Sequence, residues 1–269
     1  MANWSLHLGH IVASLPIALQ TGTADDNFPF DNARTLDPNV RGRATPDTNV
    51  VNLRFNRGTT DGLTGISSIL IAAHDIFSVA GKWQAESDTG LAFASPTTLV
   101  AVKTPSDNSP ILETFTSSVE KFFRLKLTNL SAAVSVGTVS FGKGFDLGKP
   151  VLGGVDTSWG SGQGGIGGVS TPQFSWAPVS GRRVRETFRQ VTRANALDIA
   201  ETFSDFRLRN LTSYNTDGYG NGQGAFPFGM KDGDGTVFYG FGSIQVDHVT
   251  AYYSNVTVDI AELPITQYA

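Results

Sequence analysis

With 269 residues and no cysteine, the chain can bury a core without staples, and disulfides, thiol catalysis and cysteine-based zinc sites are excluded together. A net charge of -4 gives no overall field toward nucleic acid or anionic lipid, and no apolar run reaches the ~20 residues that cross a bilayer. Only 16% of residues are charged while 30 are glycine, which points to many turns and a mainly β chain.

Residues 1–47 read as an irregular, extended lead-in. Trp4, Leu6 and Leu8 alternate with Ser5, His7 and Gly9 and predict a first strand. The apolar patch from Ile11 to Leu19 contains Pro16 and has no Lys or Arg before it. That argues against a secretory signal and for a chain made and assembled in the cytoplasm. Turn-rich polar sequence follows, anchored by Phe28, Phe30 and Leu36. It reads as a flexible arm or as a strap lying on a neighbour, and the aromatic anchors favour the strap.

Residues 48–150 read as a β-sandwich of about seven strands. Val50, Leu53 and Phe55 mark one strand, and Ile66 to Ala73 form the near-continuous apolar run of a buried central one. Lys82 to Glu86 place Trp83 and Ala85 on one face, and Thr98 to Val102 and the neighbourhood of Phe115 supply two more. Phe123, Leu125 and Leu127 alternate with Arg124, Lys126 and Thr128, and Val134, Val136, Val139 and Phe141 follow a short turn. These two segments predict a closing hairpin, with Gly142-Lys143-Gly144 and Leu147-Gly148-Lys149-Pro150 as punctuation after it.

Residues 151–175 are Gly-rich and aperiodic, a linker or long loop. Residues 176–269 predict a smaller β-rich α+β domain with one helix. Arg183 and Arg185 flank Val184 in a strand that continues through Phe188 and Val191. Ala194 to Phe203 is the helix, with Thr192 or Asn195 as its cap. Val237 to Phe241, Ser243 to Val249 and Tyr252 to Ile260 are the remaining strands.

No motif carries catalytic chemistry. Gly162 to Gly167 matches G-x-G-x-x-G, but neither a buried strand before it nor a helix after it supports a dinucleotide site. Asp232-Gly233-Asp234-Gly235 resembles the start of a calcium loop and lacks its closing glutamate, so a hairpin turn fits better. His7, His10, His74 and His248 are scattered, and His74 at the end of an apolar run reads as a hydrogen-bonded structural residue. Glu86, Glu113 and Glu120 show no pairing of the kind glycoside hydrolysis needs. No catalytic residue, cofactor or metal is therefore expected. Trp83 and Trp159 are the candidate glycan contacts, weighed against core or interface anchoring. Arg182, Arg183 and Arg185 suit an anionic ligand or an ion-paired subunit interface, to which Phe28 and Phe30 would contribute.

The segments Gly65 to Phe77 (GISSILIAAHDIF), KFFRLKLTNL, VSVGTVSFGKGFDLGKPVLGG and SGRRVRETFRQVTRANALDIAETF occur in an order that resembles minor tail proteins of long-tailed bacteriophages. The resemblance spans roughly residues 48–260 and implies a galactose-binding-like jelly roll followed by a strand-and-helix unit. It also implies a structural role at the tail tip or baseplate, in a ring of copies joining tail tube and hub in the virion. A carbohydrate-binding module recognising a host-surface glycan is the alternative. Neither reading involves nucleic acid or membrane insertion.

Overall fold

The structure, a computed structural model, describes residues 3–9, 17–34, 40–56, 65–150, 158–160, 181–216 and 227–262. It divides into two units, one built from the segments 1–8 and 145–264 and the other from 9–144. The chain opens in the first with β1 (Trp4–Gly9) and then enters the second. There it forms β2 (Ala18–Thr21), β3 (Gly42–Arg43), β4 (Val51–Asn56), β5 (Ile66–His74) and β6 (Lys82–Asp88). After these come β7 (Thr97–Lys103), β8 (Ile111–Ser118), β9 (Phe122–Thr128) and the 14-residue β10 (Ser135–Gly148).

The inserted unit is a jelly-roll sandwich. One sheet has the order β2-β4-β9-β6-β7; in the other, β10 pairs with β3 and β5, and β5 with β8. Registry explains the core. Val51, Leu127 and Trp83 form one cross-strand row, and Leu53, Leu125 and Ala85 the next. These rows meet Ile69, Ile71, Val139 and Phe141 of the facing sheet, where the Phe141 ring lies 5.1 Å from Phe55 and 5.3 Å from Phe123. The run ISSILIAAH is buried almost throughout, as its composition predicts for a central strand.

Three expectations are corrected. Residues 1–47 are not one lead-in: β1 pairs with β13 (Pro227–Lys231) of the other unit's own sheet, while the described residues from Ile17 belong to the sandwich. β9 and β10 do not form a hairpin, because β9 pairs with β4 and β6 in one sheet and β10 with β3 and β5 in the other. Alternation fixes which face of a strand is buried and leaves its partner open. Gly142-Lys143-Gly144 is not punctuation, since β10 runs through it and buries Phe145 and Leu147 beyond. Gly144 is needed for close approach: a Cβ there would sit 3.0 Å from Ser68 Cβ and 3.1 Å from the Ser67 carbonyl oxygen.

The other unit adds β11 (Ser158–Gly160), β12 (Gly181–Thr192), α1 (Arg193–Thr216), β13, β14 (Val237–His248) and β15 (Tyr253–Glu262). Its strands run β11-β12-β15-β14-β13-β1, all antiparallel. Val184, Phe188, Val256, Val258 and Ile260 share a core with Trp4, Leu6, Leu8, Phe145 and Leu147, and Ala196 and Ile199 of α1 close it. The Thr192 hydroxyl accepts a hydrogen bond from Asn195 N at 3.3 Å, the capping read from the sequence. The helix is longer than the ten residues predicted, and the two strands expected around Gly242 are the single strand β14.

Candidate functional site

One end of the sandwich gathers the connections that follow β5, β7 and β9 and the segment that leaves β3. The loop after His74 is anchored inward by Ile76 and Val79, both buried, which turns Phe77 outward at 49% exposure. It is locally locked: Val79 N donates to the Asp75 carbonyl at 3.2 Å, Ala80 N to Phe77 O at 3.0 Å and Gly81 N to Ile76 O at 2.8 Å.

Asn108, from the loop after β7, fixes the ring's backbone. Its Oδ1 accepts from Phe77 N at 3.1 Å and Ser78 N at 3.4 Å, while its Nδ2 donates to Ser78 Oγ at 2.6 Å. Asp107 holds that loop in turn, its Oδ1 accepting from Ser109 N at 2.8 Å. Across β10, Asp75 Oδ1 accepts from Ser135 N at 2.7 Å, and Ser135 is the register partner of Arg43. Arg43 N donates to the carbonyl of Phe28, a second half-exposed ring at 45%. This end thus presents two aromatics and several polar groups on loops fixed by hydrogen bonds.

Beneath them His74 is buried and its Nε2 lies 2.9 Å from the Ser109 carbonyl, with Ile76 N donating to Nδ1 at 3.4 Å. The ring is therefore the neutral Nε2–H tautomer. Burial pulls its pKa from 6.5 to about 4, against the raising effects of the Ser109 bond and Asp107, with Arg41 adding slightly to the drop. Its structural role matches the sequence reading.

The folded state thus binds fewer protons than the unfolded chain between those pKa values, so His74 makes stability fall as pH drops from 6.5 toward 4. The expected loss from this residue is about 3 kcal/mol over that window. Urea unfolding at pH 7 and pH 4 checks it: His74→Gln should show a smaller difference between the two than the wild type. His7, lowered to about 3 by burial, acts in the same direction, whereas burial raises the Asp75 carboxyl and opposes them.

The residues singled out by sequence are placed differently. Trp83 is only 2% exposed and faces the core opposite Leu127, so it offers no ring to a glycan. Trp159 lies in β11 opposite Arg182, and both side chains fall outside the described residues, as do all of Gly162 to Gly167. Phe30 is buried in the short 3-10 turn Phe30–Arg34, which leaves Phe28 as the exposed member of the pair. Arg183 is tied within its own unit by a bidentate pair to Asp259, at 2.8 Å through Nε and 2.7 Å through Nη2. Arg185 is exposed opposite Asp259. Asp232 is a turn residue, its Oδ1 accepting from Asp234 N at 2.9 Å and Thr236 N at 2.8 Å. Among the described residues no group of three or more His, Cys, Asp or Glu could hold a metal.

No protein family's sequence model matches the chain, and no curated protein is similar to it. Solved structures are similar to this chain over about half of its length. Chitosan-binding module 2 of a chitosanase/glucanase from Paenibacillus sp. IK-5, in complex with chitotriose, covers 49% of this chain and 99% of its own at 18% identity and a TM-score of 0.40. CBM32-3 from a family 31 glycoside hydrolase of Clostridium perfringens covers 51% of this chain and 96% of its own at 12% identity, with a TM-score of 0.39. CpGH89CBM32-5 of the same organism, in complex with GalNAc-β-1,3-galactose, covers 51% and 99% at 10% identity, with a TM-score of 0.41.

Phe77 and Asn108 were the residues that the sequence did not offer. Phe77 follows a strand-end histidine, the one local hint of a loop apex. Nothing near Asn108 marks it as that loop's partner 31 residues away.

Proposed function

We propose that the protein is a non-catalytic carbohydrate-binding protein whose jelly roll grips a glycan on the loop end carrying Phe77 and Asn108. The observation that carries this reading is a large aromatic ring held half-exposed on a loop whose backbone is pinned by a side chain from another loop. An apolar ring flanked by fixed hydrogen-bonding groups suits the alternating apolar faces and hydroxyl edges of a pyranose. Rigidity before binding removes the ordering cost that weakens loop-built sites.

Isothermal titration with chitotriose, GalNAc-β-1,3-galactose and host-surface polysaccharides tests it. Phe77→Ala is expected to weaken binding at least about tenfold while shifting stability by no more than about 0.5 kcal/mol, as an exposed side chain should. Unchanged affinity in that variant would remove the reading.

The insertion of the sandwich favours a second reading, a recognition module carried on an assembly unit. In a tail-tip protein of the virion, the unit containing 145–264 would make the contacts between copies and with tube and hub. The β14–β15 connection there exposes Val249, Tyr252 and Tyr253, with Tyr252 at 78%, on a turn held by Thr250 Oγ1 accepting from Tyr252 N and Tyr253 N.

A further inference from the structure

The strands of the five-stranded sheet send Val51, Leu53, Phe55, Trp83, Leu125 and Leu127 inward, so their alternate residues line the opposite face. Register arranges these into two adjacent rows: Arg54, Arg124 and Glu86, and beside it Asn52, Lys126 and Gln84.

The first row is closed. Arg124 donates through Nε at 2.7 Å and through Nη2 to Glu86 Oε2, and through Nη1 to Gln20 Oε1 at 3.1 Å. The Phe93 ring lies 4.3 Å from its guanidinium carbon, and the loop carrying that ring is tied down by Arg54 Nη1 to Leu91 O and Gln20 Nε2 to Ala92 O. The second row is closed only at Gln84, whose Nε2 donates to Thr98 Oγ1 at 3.4 Å. Asn52 is only 8% exposed, yet its Oδ1 has no hydrogen-bond partner. Lys126, directly opposite, and Lys82, its diagonal neighbour on β6, are half-buried and have no carboxylate partner among the described residues. Glu86 is engaged with Arg124, and Asp88 accepts from Gly90 N and Ser95 N, so this face carries a surplus of cations on a chain that is acidic overall.

An acceptor buried without a partner is met by a hydroxyl donor, and two neighbouring ammonium groups are met by a carboxylate. We propose that this row is a second, separate saccharide subsite, for a uronate-bearing sugar. Asn52 turns its amide so that Oδ1, closed to solvent in the unliganded chain, meets a ring hydroxyl; the carboxylate sits between Lys126 and Lys82, and the second amide hydrogen of Gln84 goes to a neighbouring oxygen. The loop 89–96, which covers the adjacent Arg124 row, borders the subsite on that side. The inference takes its ligand class from the carbohydrate reading above but uses none of the loop-end residues.

The probe is trigalacturonate, titrated by calorimetry against the full chain, with chitotriose in parallel. Binding is expected to weaken at least about fivefold in Lys126→Ala and in Asn52→Ala, to be unchanged in Phe77→Ala, and to weaken as salt is raised toward ~0.3 M. Melting curves confirm that each variant is folded, and Lys82→Ala serves in place of any that is not. No binding of trigalacturonate, or binding indifferent to Lys126, Lys82 and Asn52, overturns the proposal. If chitotriose still binds through Phe77 in that case, the loop-end reading stands alone. If trigalacturonate binds through Lys126 while no ligand responds to Phe77→Ala, this subsite stands and the loop-end reading falls.

Discussion

Replacing Arg124 with methionine is expected to destabilise the jelly roll by about 3–5 kcal/mol, the largest effect of any polar substitution in it. The guanidinium side chain is 11% exposed and its partner Glu86 6%, so removing the cation leaves a carboxylate in a closed site. Phe93 also loses the cation beneath its ring, and Gln20 loses a donor to its Oε1. The double variant Arg124→Met with Glu86→Gln should recover much of the loss, because the cost lies in the abandoned charge more than in the missing attraction. Urea unfolding of the three proteins at pH 7 checks this. A single variant within about 1 kcal/mol of wild type would show that solvent reaches the pair freely.

Gly242→Ala is expected to cost about 4 kcal/mol or more in the other unit. A Cβ at Gly242 would lie 1.8 Å from the Asp259 carbonyl oxygen, and one at Gly240 2.0 Å from that of Ala261. Both obstacles are backbone of β15, which cannot swing aside as a side chain can. The β14–β15 ladder would have to open along the register Gly240↔Glu262 to Gly242↔Ile260. Gly235 supplies the contrast. Its φ of +97° makes a side chain strained, but nothing lies within 4 Å, so Gly235→Ala should cost only about 1–3 kcal/mol. Thermal unfolding of both variants separates steric overlap from backbone strain.

These two sites also show where the sequence is legible. Alternation in KFFRLKLT puts Phe123, Leu125 and Leu127 inward and Arg124 outward, as found, but gives no hint that Arg124 is covered by a loop from beyond β6. Continuous burial of β5 is readable because a strand buried on both faces needs no polar residues. The glycines of VFYGFGS look like breaks and are close-approach positions inside one strand, just as Gly144 is inside β10. The core position of Trp83 follows from its pairing with Leu127 rather than from its residue type. The loop end was hidden for a different reason. Phe77, Asn108 and Phe28 come from three connections, and only the closing of the sandwich brings those connections to one end.

The measurement closest to the central claim is an amide chemical-shift titration of the intact protein with chitotriose or whichever saccharide binds best in the calorimetric panel. Carbohydrate recognition at the loop end requires the largest shifts at Phe77, Ser78, Asn108 and Ser109, saturating with the calorimetric affinity. Shifts that leave those four amides unmoved at saturation would contradict it.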